Sequence, residues 1–171
     1  MKTTLFSLLC FLAVVTSSSA QEKKFSAYAI GFYNLENLFD TQHDEGKLDE
    51  DFLPNGSYKW DSIKYTNKLH NMAQALSEMA TTKLPKVGCA VIGVSEVENE
   101  HVLKDLCAQP ALAARGYRYA HIEGPDLRGI DCALLYNPAL FTIENTTLYP
   151  YVQHLKDNPN FITRGFLAVT G

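Results

Sequence analysis

Residues 89–99 read Cys-Ala-Val-Ile-Gly-Val-Ser-Glu-Val-Glu-Asn, a continuous apolar run that ends in carboxylates. A run of small and β-branched residues is the signature of a strand covered on both faces, and open sheets keep their ligand sites at the carboxyl ends of such strands. An ionised Glu96 at that point needs a cation, a hydrogen-bond donor or water. A second candidate is Asn34, where the segment Phe32-Tyr33-Asn34-Leu35-Glu36-Asn37 leaves its own apolar stretch. Its carbonyl can face a metal or its amide a phosphate, although Asn is also an ordinary turn former. A third cluster, Asp126-Leu127-Arg128-Gly129-Ile130-Asp131, reads equally well as an ion pair across a surface turn or as a functional turn. Arg164, just ahead of the last apolar run, is by itself an exposed cation. Glu98 reads as an acid at the start of a helix, beside Asn99.

The elements that must position these groups follow from hydrophobic periodicity. Alternation over 25–33 predicts a first strand ending at Asn34. Residues 40–58 hold Asp40, Asp44, Glu45, Asp49, Glu50 and Asp51 with Gly46, Pro54 and Gly56, which predicts a solvated acidic loop. That loop lacks the regular alternation of oxygen ligands a calcium loop requires. Over 61–79, Ile63, Leu69, Met72, Ala73, Leu76 and Met79 recur at helical steps, with Asp61 or Ser62 as cap, which predicts an amphipathic helix. A strand over 87–95 and a helix over 98–109, ended by Pro110, come next. Later apolar runs at 117–122, 130–136, 141–148 and 166–169 predict strands. Helices between early strands and hairpin-like later ones indicate an α/β layered protein with a mixed sheet.

The amino terminus places Lys2 before an apolar stretch at 5–15 and a small, polar flank, the pattern of a secretory signal peptide. Residues 1–20 are expected to be removed, leaving 21–171 as a single domain that is secreted or periplasmic and not inserted in a membrane. The formal net charge of −4 argues against general coating of nucleic acid, because phosphate binding scales with basic contacts. A nuclease with a few arginines around a metal stays compatible with it. Cys89, Cys107 and Cys132 sit in apolar surroundings without Cys-x-x-Cys spacing, so they read as buried small hydrophobes. His121 lies within an expected strand and reads as a packed histidine, while His43 in the acidic loop reads as solvated. His154 lies in a Pro-bounded stretch before Arg164.

Taken together, Phe32-Tyr33-Asn34, Val91-Ile92-Gly93-Val94-Ser95-Glu96-Val97 and Arg128-Gly129-Ile130-Asp131-Cys132-Ala133-Leu134-Leu135-Tyr136 resemble the first motifs of the endonuclease/exonuclease/phosphatase superfamily. Secreted bacterial members also share Asn-Leu-Glu-Asn-Leu-Phe-Asp at 34–40 and the Pro-x-Gly and Trp stretch at 54–60. The resemblance spans nearly all of 25–171. It implies a four-layered α/β sandwich of two mixed sheets, of which this chain is the amino-terminal part.

The resemblance further implies a site binding Mg²⁺, or alternatively Mn²⁺, with Glu96 as the metal carboxylate and Asn34 the neighbouring amide. Arg164 takes the place of the phosphate-contacting arginine of deoxyribonuclease-like members, and Arg128 and Asp131 lie where the family touches the scissile phosphate. The implied substrate is a phosphodiester, DNA or RNA included. The family's later motifs, which carry the catalytic His and the water-activating Gly-Asp-x-Asn, have no counterpart in the chain. The expectation is therefore a metal-dependent phosphodiesterase or nuclease whose 171-residue portion is inactive alone and exposes one half of a two-sheet core. A secreted non-catalytic binding module, and a phosphomonoesterase or lipid phosphodiesterase of the same superfamily, are the alternatives. Oligomeric state is not legible.

Overall fold

The structure, a computed structural model, describes residues 26–151 and 163–171. The signal-peptide expectation for 1–20 and His154 fall outside the described residues. Strands β1 (Ile30–Leu38), β2 (Val91–Val97), β3 (Arg118–His121) and β4 (Asp131–Tyr136) form a sheet in the order β1-β2-β4-β3. β1 and β2 are parallel, and β4 runs antiparallel to both β2 and β3, so the sheet is mixed. Strands β5 (Asn145–Tyr149) and β6 (Phe166–Thr170) pair antiparallel as a second, two-stranded sheet. The expected α/β class with two sheets is what the chain forms. Among the described residues the second sheet is antiparallel rather than mixed.

Helices α1 (Ser62–Glu78), α2 (Glu100–Ala108) and the single turn α3 (Pro110–Ala113) cover one face of the four-stranded sheet. The stripe expected over 61–79 is the buried face of α1 from Leu69 on, with Leu69, Ala73 and Leu76 each no more than 3% exposed, whereas Ile63 is 68% exposed. Asp61 caps α1 by accepting the Lys64 N–H at 2.9 Å. Val102, Leu103 and Leu106 of α2 meet Ile92, Val94 and Leu135 of the sheet in one core. Each such side chain contributes about 1.5–3 kcal/mol by leaving water. Pro110 ends α2 as expected and then opens α3, where its missing N–H costs nothing. No helix among the described residues is long and apolar enough to cross a membrane.

The opposite face of the sheet is poorly covered. Ile30 is 70% exposed and Phe32 80%. Together with Gly93 and Leu134 they line an apolar cleft of about 680 Å³, whose other wall is Phe166, Leu167 and Val169 of the β5–β6 hairpin.

Several boundaries differ from the sequence reading: β1 begins at Ile30 rather than 25 and β2 at Val91 rather than 87. β1 runs past Asn34 to Leu38, and β2 likewise continues past Ser95 through Glu96 to Val97. The helix expected from Glu98 starts at Glu100, because the Asn99 side chain takes the cap by accepting the Val102 N–H at 3.0 Å. β5 begins at Asn145 rather than 141, since Asn137 turns the chain back through its carbonyl to the N–H groups of Leu140 and Phe141.

Loop 40–58 is largely solvated as its composition predicts, with Glu45, Glu50 and Asp51 exposed, but two of its acids are not. Asp40 is 6% exposed and Asp49 1%. Phe39 stacks on Phe52 at 4.2 Å, with Tyr58 and Trp60 against the other edges of Phe52. The Trp60 indole N–H donates to Phe39 O at 2.9 Å. His43 stays exposed, as expected, while its Nδ1 meets the buried Asp49 Oδ1. That hydrogen bond raises the imidazole pKa above its ordinary range, against the opposing effect of burial.

Candidate active site

The carboxyl ends of β1, β2 and β3 and the amino end of β4 share one edge of the sheet. Along that edge the ladders break at one residue. Ser95 pairs with Cys132 and Val97 with Asp131, which leaves Glu96 without a partner on β4. On the other side Asn34 pairs with Ser95 and Leu38 with Val97, so residues 35–37 bulge opposite Glu96. A bulge re-aims the side chain of its extra residue, and here that residue is the carboxylate. Glu96 holds φ 60°, and Glu36 and Asn37 hold φ 52° and 58°. Left-handed backbone costs about 1–2 kcal/mol at an ordinary L-residue. Asn37 tolerates it better than either Glu.

Hydrogen bonds hold this arrangement. Asn34 Nδ2 donates to Glu96 Oε1 at 3.1 Å, and the Asn37 N–H donates to Glu96 Oε2 at 3.1 Å. The Asn34 side-chain oxygen accepts the Glu36 N–H at 2.7 Å, an Asx turn that starts the bulge. Both carboxylate oxygens of Glu96 are thus oriented, each by one N–H from β1. From α1, Lys68 Nζ donates to Glu36 O and, at 3.3 Å, to Asn37 O, with the Trp60 ring centroid 5.5 Å away. Burial lowers the Lys68 pKa, opposed by the charges of Glu36 and Glu96.

Behind the edge lies Glu98, only 2% exposed. It precedes the Asn99 cap, so it is not the exposed first-turn acid its position suggests. Glu98 Oε2 accepts the Asp40 N–H at 2.6 Å, tying the start of the acidic loop to the end of β2. Burial pushes its pKa up to about 8, and Asp40, Asp44 and Asp49 push the same way.

The remaining sequence candidates fall in two groups along the same edge. Asp126, 6% exposed, gathers both arginines: Arg128 Nε lies 3.8 Å from Oδ1 and Arg164 Nε 3.7 Å from Oδ2. The ion pair across the turn is therefore present, and Arg164 is a paired cation rather than a free one. Asp131, 3% exposed, accepts the Gly124 N–H at 2.9 Å and faces His121 Nε2 at 3.3 Å. A Cβ on Gly124 would run into that carboxylate, so glycine is required for the loop to close on it. His121 is the packed histidine expected. The structure brings Asn34 and Glu96 together, collects Arg128 and Arg164 on Asp126, and seats Asp131 with His121. Sequence reasoning missed Lys68, because the apolar spacing of α1 gives no signal for an inward lysine, and it did not foresee that Asp126 would pair with Arg164 as well as Arg128.

Two donor sets could serve a cation. His121, Glu123 and Asp131 present ligand atoms all within 4.8 Å of one another. Lys47 already answers that set: its Nζ lies 3.0 Å from Glu123 Oε1 and 3.2 Å from the carbonyls of both Gly124 and Asp126. At Glu96 the donors are hard oxygens at an open sheet edge, with lone pairs beyond those used by one N–H each. That chemistry fits Mg²⁺, which takes one or two carboxylates and fills its remaining positions with water and phosphate oxygens.

The order of these features along the chain is shared by a known family. A family model described as the endonuclease/exonuclease/phosphatase family matches residues 29–171. The chain belongs to that family. Asn34, Glu96, Arg128, Asp131 and Arg164 all lie inside the matched segment, and membership makes the protein one of a family of hydrolases. No curated protein and no solved structure matches the chain.

Proposed function

We propose that this member of the endonuclease/exonuclease/phosphatase family is a secreted, divalent-metal-dependent phosphodiesterase or nuclease. Mg²⁺ is the preferred ion, residues 1–20 are a leader, and 21–171 are the amino-terminal part of the family's domain. The observation that carries this reading is the bulge that expels Glu96 from both ladders and fixes its two oxygens with N–H groups from β1. A carboxylate oriented this way is a ready ligand, since the entropy of arranging it is spent in folding rather than in binding. When bound there, the metal supplies charge stabilisation for the phosphoryl oxygens and the leaving alkoxide.

In this reading the chain's own groups divide the work. Glu96 holds the ion, and Asn34 orients Glu96. Arg128 and Arg164, set together by Asp126, face the substrate phosphate with planar donors suited to it. Asp131 acts on the phosphate end by fixing the 123–130 loop through Gly124. The substrate is a phosphodiester, with DNA and RNA both in scope, because selectivity in such folds resides in loops. The 171 residues alone are proposed to be inactive.

Calorimetric titration of the mature chain with Mg²⁺ tests the assignment. One site is expected in the wild type, and none in Glu96→Gln. Equal Mg²⁺ binding by the two proteins would refute the metal role. Hydrolysis of a model phosphodiester by the mature chain at ordinary enzymatic rates, abolished in Glu96→Gln, would overturn the inactivity of the 171 residues while supporting the site.

A further inference from the structure

The bulge that displays Glu96 is held from a direction the family motifs do not mention. Glu36 and Asn37 are consecutive non-glycine residues at positive φ, and their own strand contributes only the Asn34 Asx turn to the Glu36 N–H. Their carbonyls, turned out of the ladder, converge on the ammonium of Lys68 on α1, and Asn37 O also accepts the Phe39 N–H at 3.1 Å. The same stretch of β1 supplies the Asn37 N–H to Glu96 Oε2. A continuous chain of contacts therefore runs from the Trp60 ring through Lys68 and the 36–37 backbone to the carboxylate.

We propose that Lys68 is the positioning residue of this site: it holds the 36–37 bulge in the shape that aims Glu96 at a divalent cation. The proposal rests on Glu96 being the metal carboxylate. Lys68 suits the task because an ammonium has three donors, enough for two backbone carbonyls at one point. Its flexible stem crosses from helix to strand, and the indole face accommodates the charge where water is partly excluded. An uncharged residue of similar length fills the space but leaves the Glu36 carbonyl turned out without its donor, while the Asn37 carbonyl keeps only the Phe39 N–H at 3.1 Å.

The chain carries one tryptophan, Trp60, so its emission reports on this contact without labelling. Mg²⁺ titration of the mature wild type, followed in parallel by calorimetry and by Trp60 emission, is expected to give one dissociation constant from both signals. Lys68→Met is expected to weaken Mg²⁺ binding roughly tenfold or more, the usual loss when a group orienting a metal ligand is removed. The emission response should disappear in that variant. Lys68→Arg, which keeps charge and donors, should recover most of the affinity.

The outcomes separate the two ideas. No Mg²⁺ heat in the wild type, or unchanged binding in Glu96→Gln, defeats the metal reading itself. Wild-type affinity in Lys68→Met, with Glu96→Gln inactive in binding, defeats only the positioning role. Tighter Mg²⁺ binding in Lys68→Met would show that the ammonium acts on Glu96 by charge alone, and would equally overturn the proposal. If Lys68→Met does not fold, the wild type decides: Mg²⁺ that saturates by calorimetry without moving Trp60 emission refutes the coupling.

Discussion

Asn34→Asp places an acceptor where the structure requires a donor. The side-chain nitrogen that meets Glu96 Oε1 at 3.1 Å becomes a carboxylate oxygen of the same reach. A hydrogen bond to a charged acceptor contributes about 1.5–3 kcal/mol, and the solvent-facing position argues for the low end. Two carboxylates this close in water-like surroundings repel by about 1 kcal/mol more. The Asx turn to the Glu36 N–H survives, because it uses the oxygen that both residues share. The metal-free protein should therefore lose about 2.5 kcal/mol. For a domain of this size that lowers the melting temperature by about 5–10 °C. A divalent cation reverses the sign, since two adjacent carboxylates bind it better than a carboxylate and an amide do. The assay is thermal unfolding of mature wild type, Asn34→Asp and Asn34→Ala, each with and without saturating Mg²⁺. The Asp variant should be the least stable of wild type and Asp without metal and gain more from Mg²⁺ than wild type. The Ala variant should lose stability that Mg²⁺ does not restore. Equal melting of wild type and Asn34→Asp without metal, or equal gains from Mg²⁺, would refute the pairing of Asn34 with Glu96.

Two further outcomes follow from the groups around that edge. The folded pKa of Glu98, about 8, lies above its ordinary 4.5, so across that window the native state keeps a proton that the unfolded chain has released. Stability should then fall as pH rises from about 4.5 to about 8, by at most about 5 kcal/mol. His43, held above its ordinary range, slopes the same way, so the difference between wild type and Glu98→Gln carries the result. Urea unfolding at several pH values should show a flatter profile for Glu98→Gln, and parallel profiles would refute the assignment. Phe39→Ala removes a side chain 2% exposed and stacked on Phe52, and should cost about 3–5 kcal/mol in urea unfolding. A loss below about 1 kcal/mol would mean that the aromatic cluster does not order loop 40–58.

The elements that read correctly from sequence are those whose signal is local and repeated. Leu69, Ala73 and Leu76 recur at helical spacing, and α1 follows within a residue or two of the expected ends. The apolar runs leading to Glu96 and through 130–136 became β2 and β4 because burial on the helix face demands it. Loop 40–58 misled at Asp40 and Asp49 because charge was weighed and aromatic spacing was not. Phe39, Phe52, Tyr58 and Trp60 were visible in the sequence, and a cluster of that size can draw acidic neighbours inward if they find N–H groups and histidines. Glu98 misled for a related reason: its burial depends on Asp40, far away in sequence.

The bulge itself has no compositional mark. Left-handed backbone is usually announced by glycine, yet positions 36, 37 and 96 carry Glu, Asn and Glu. If the turn alone mattered, glycine at 96 would adopt the same φ without strain and add stability. Glutamate there costs about 1–2 kcal/mol and gains back only what two N–H groups on an exposed edge return. Such strain persists where the surrounding structure imposes it, and it concentrates at functional sites. The imposing structure is identifiable here: Asn34 and Asn37 from one strand, Lys68 from a helix, and the double break in the ladders that leaves Glu96 no other direction. What these contacts hold in place is the carboxylate rather than the turn, which is the strongest structural support for a ligand at Glu96.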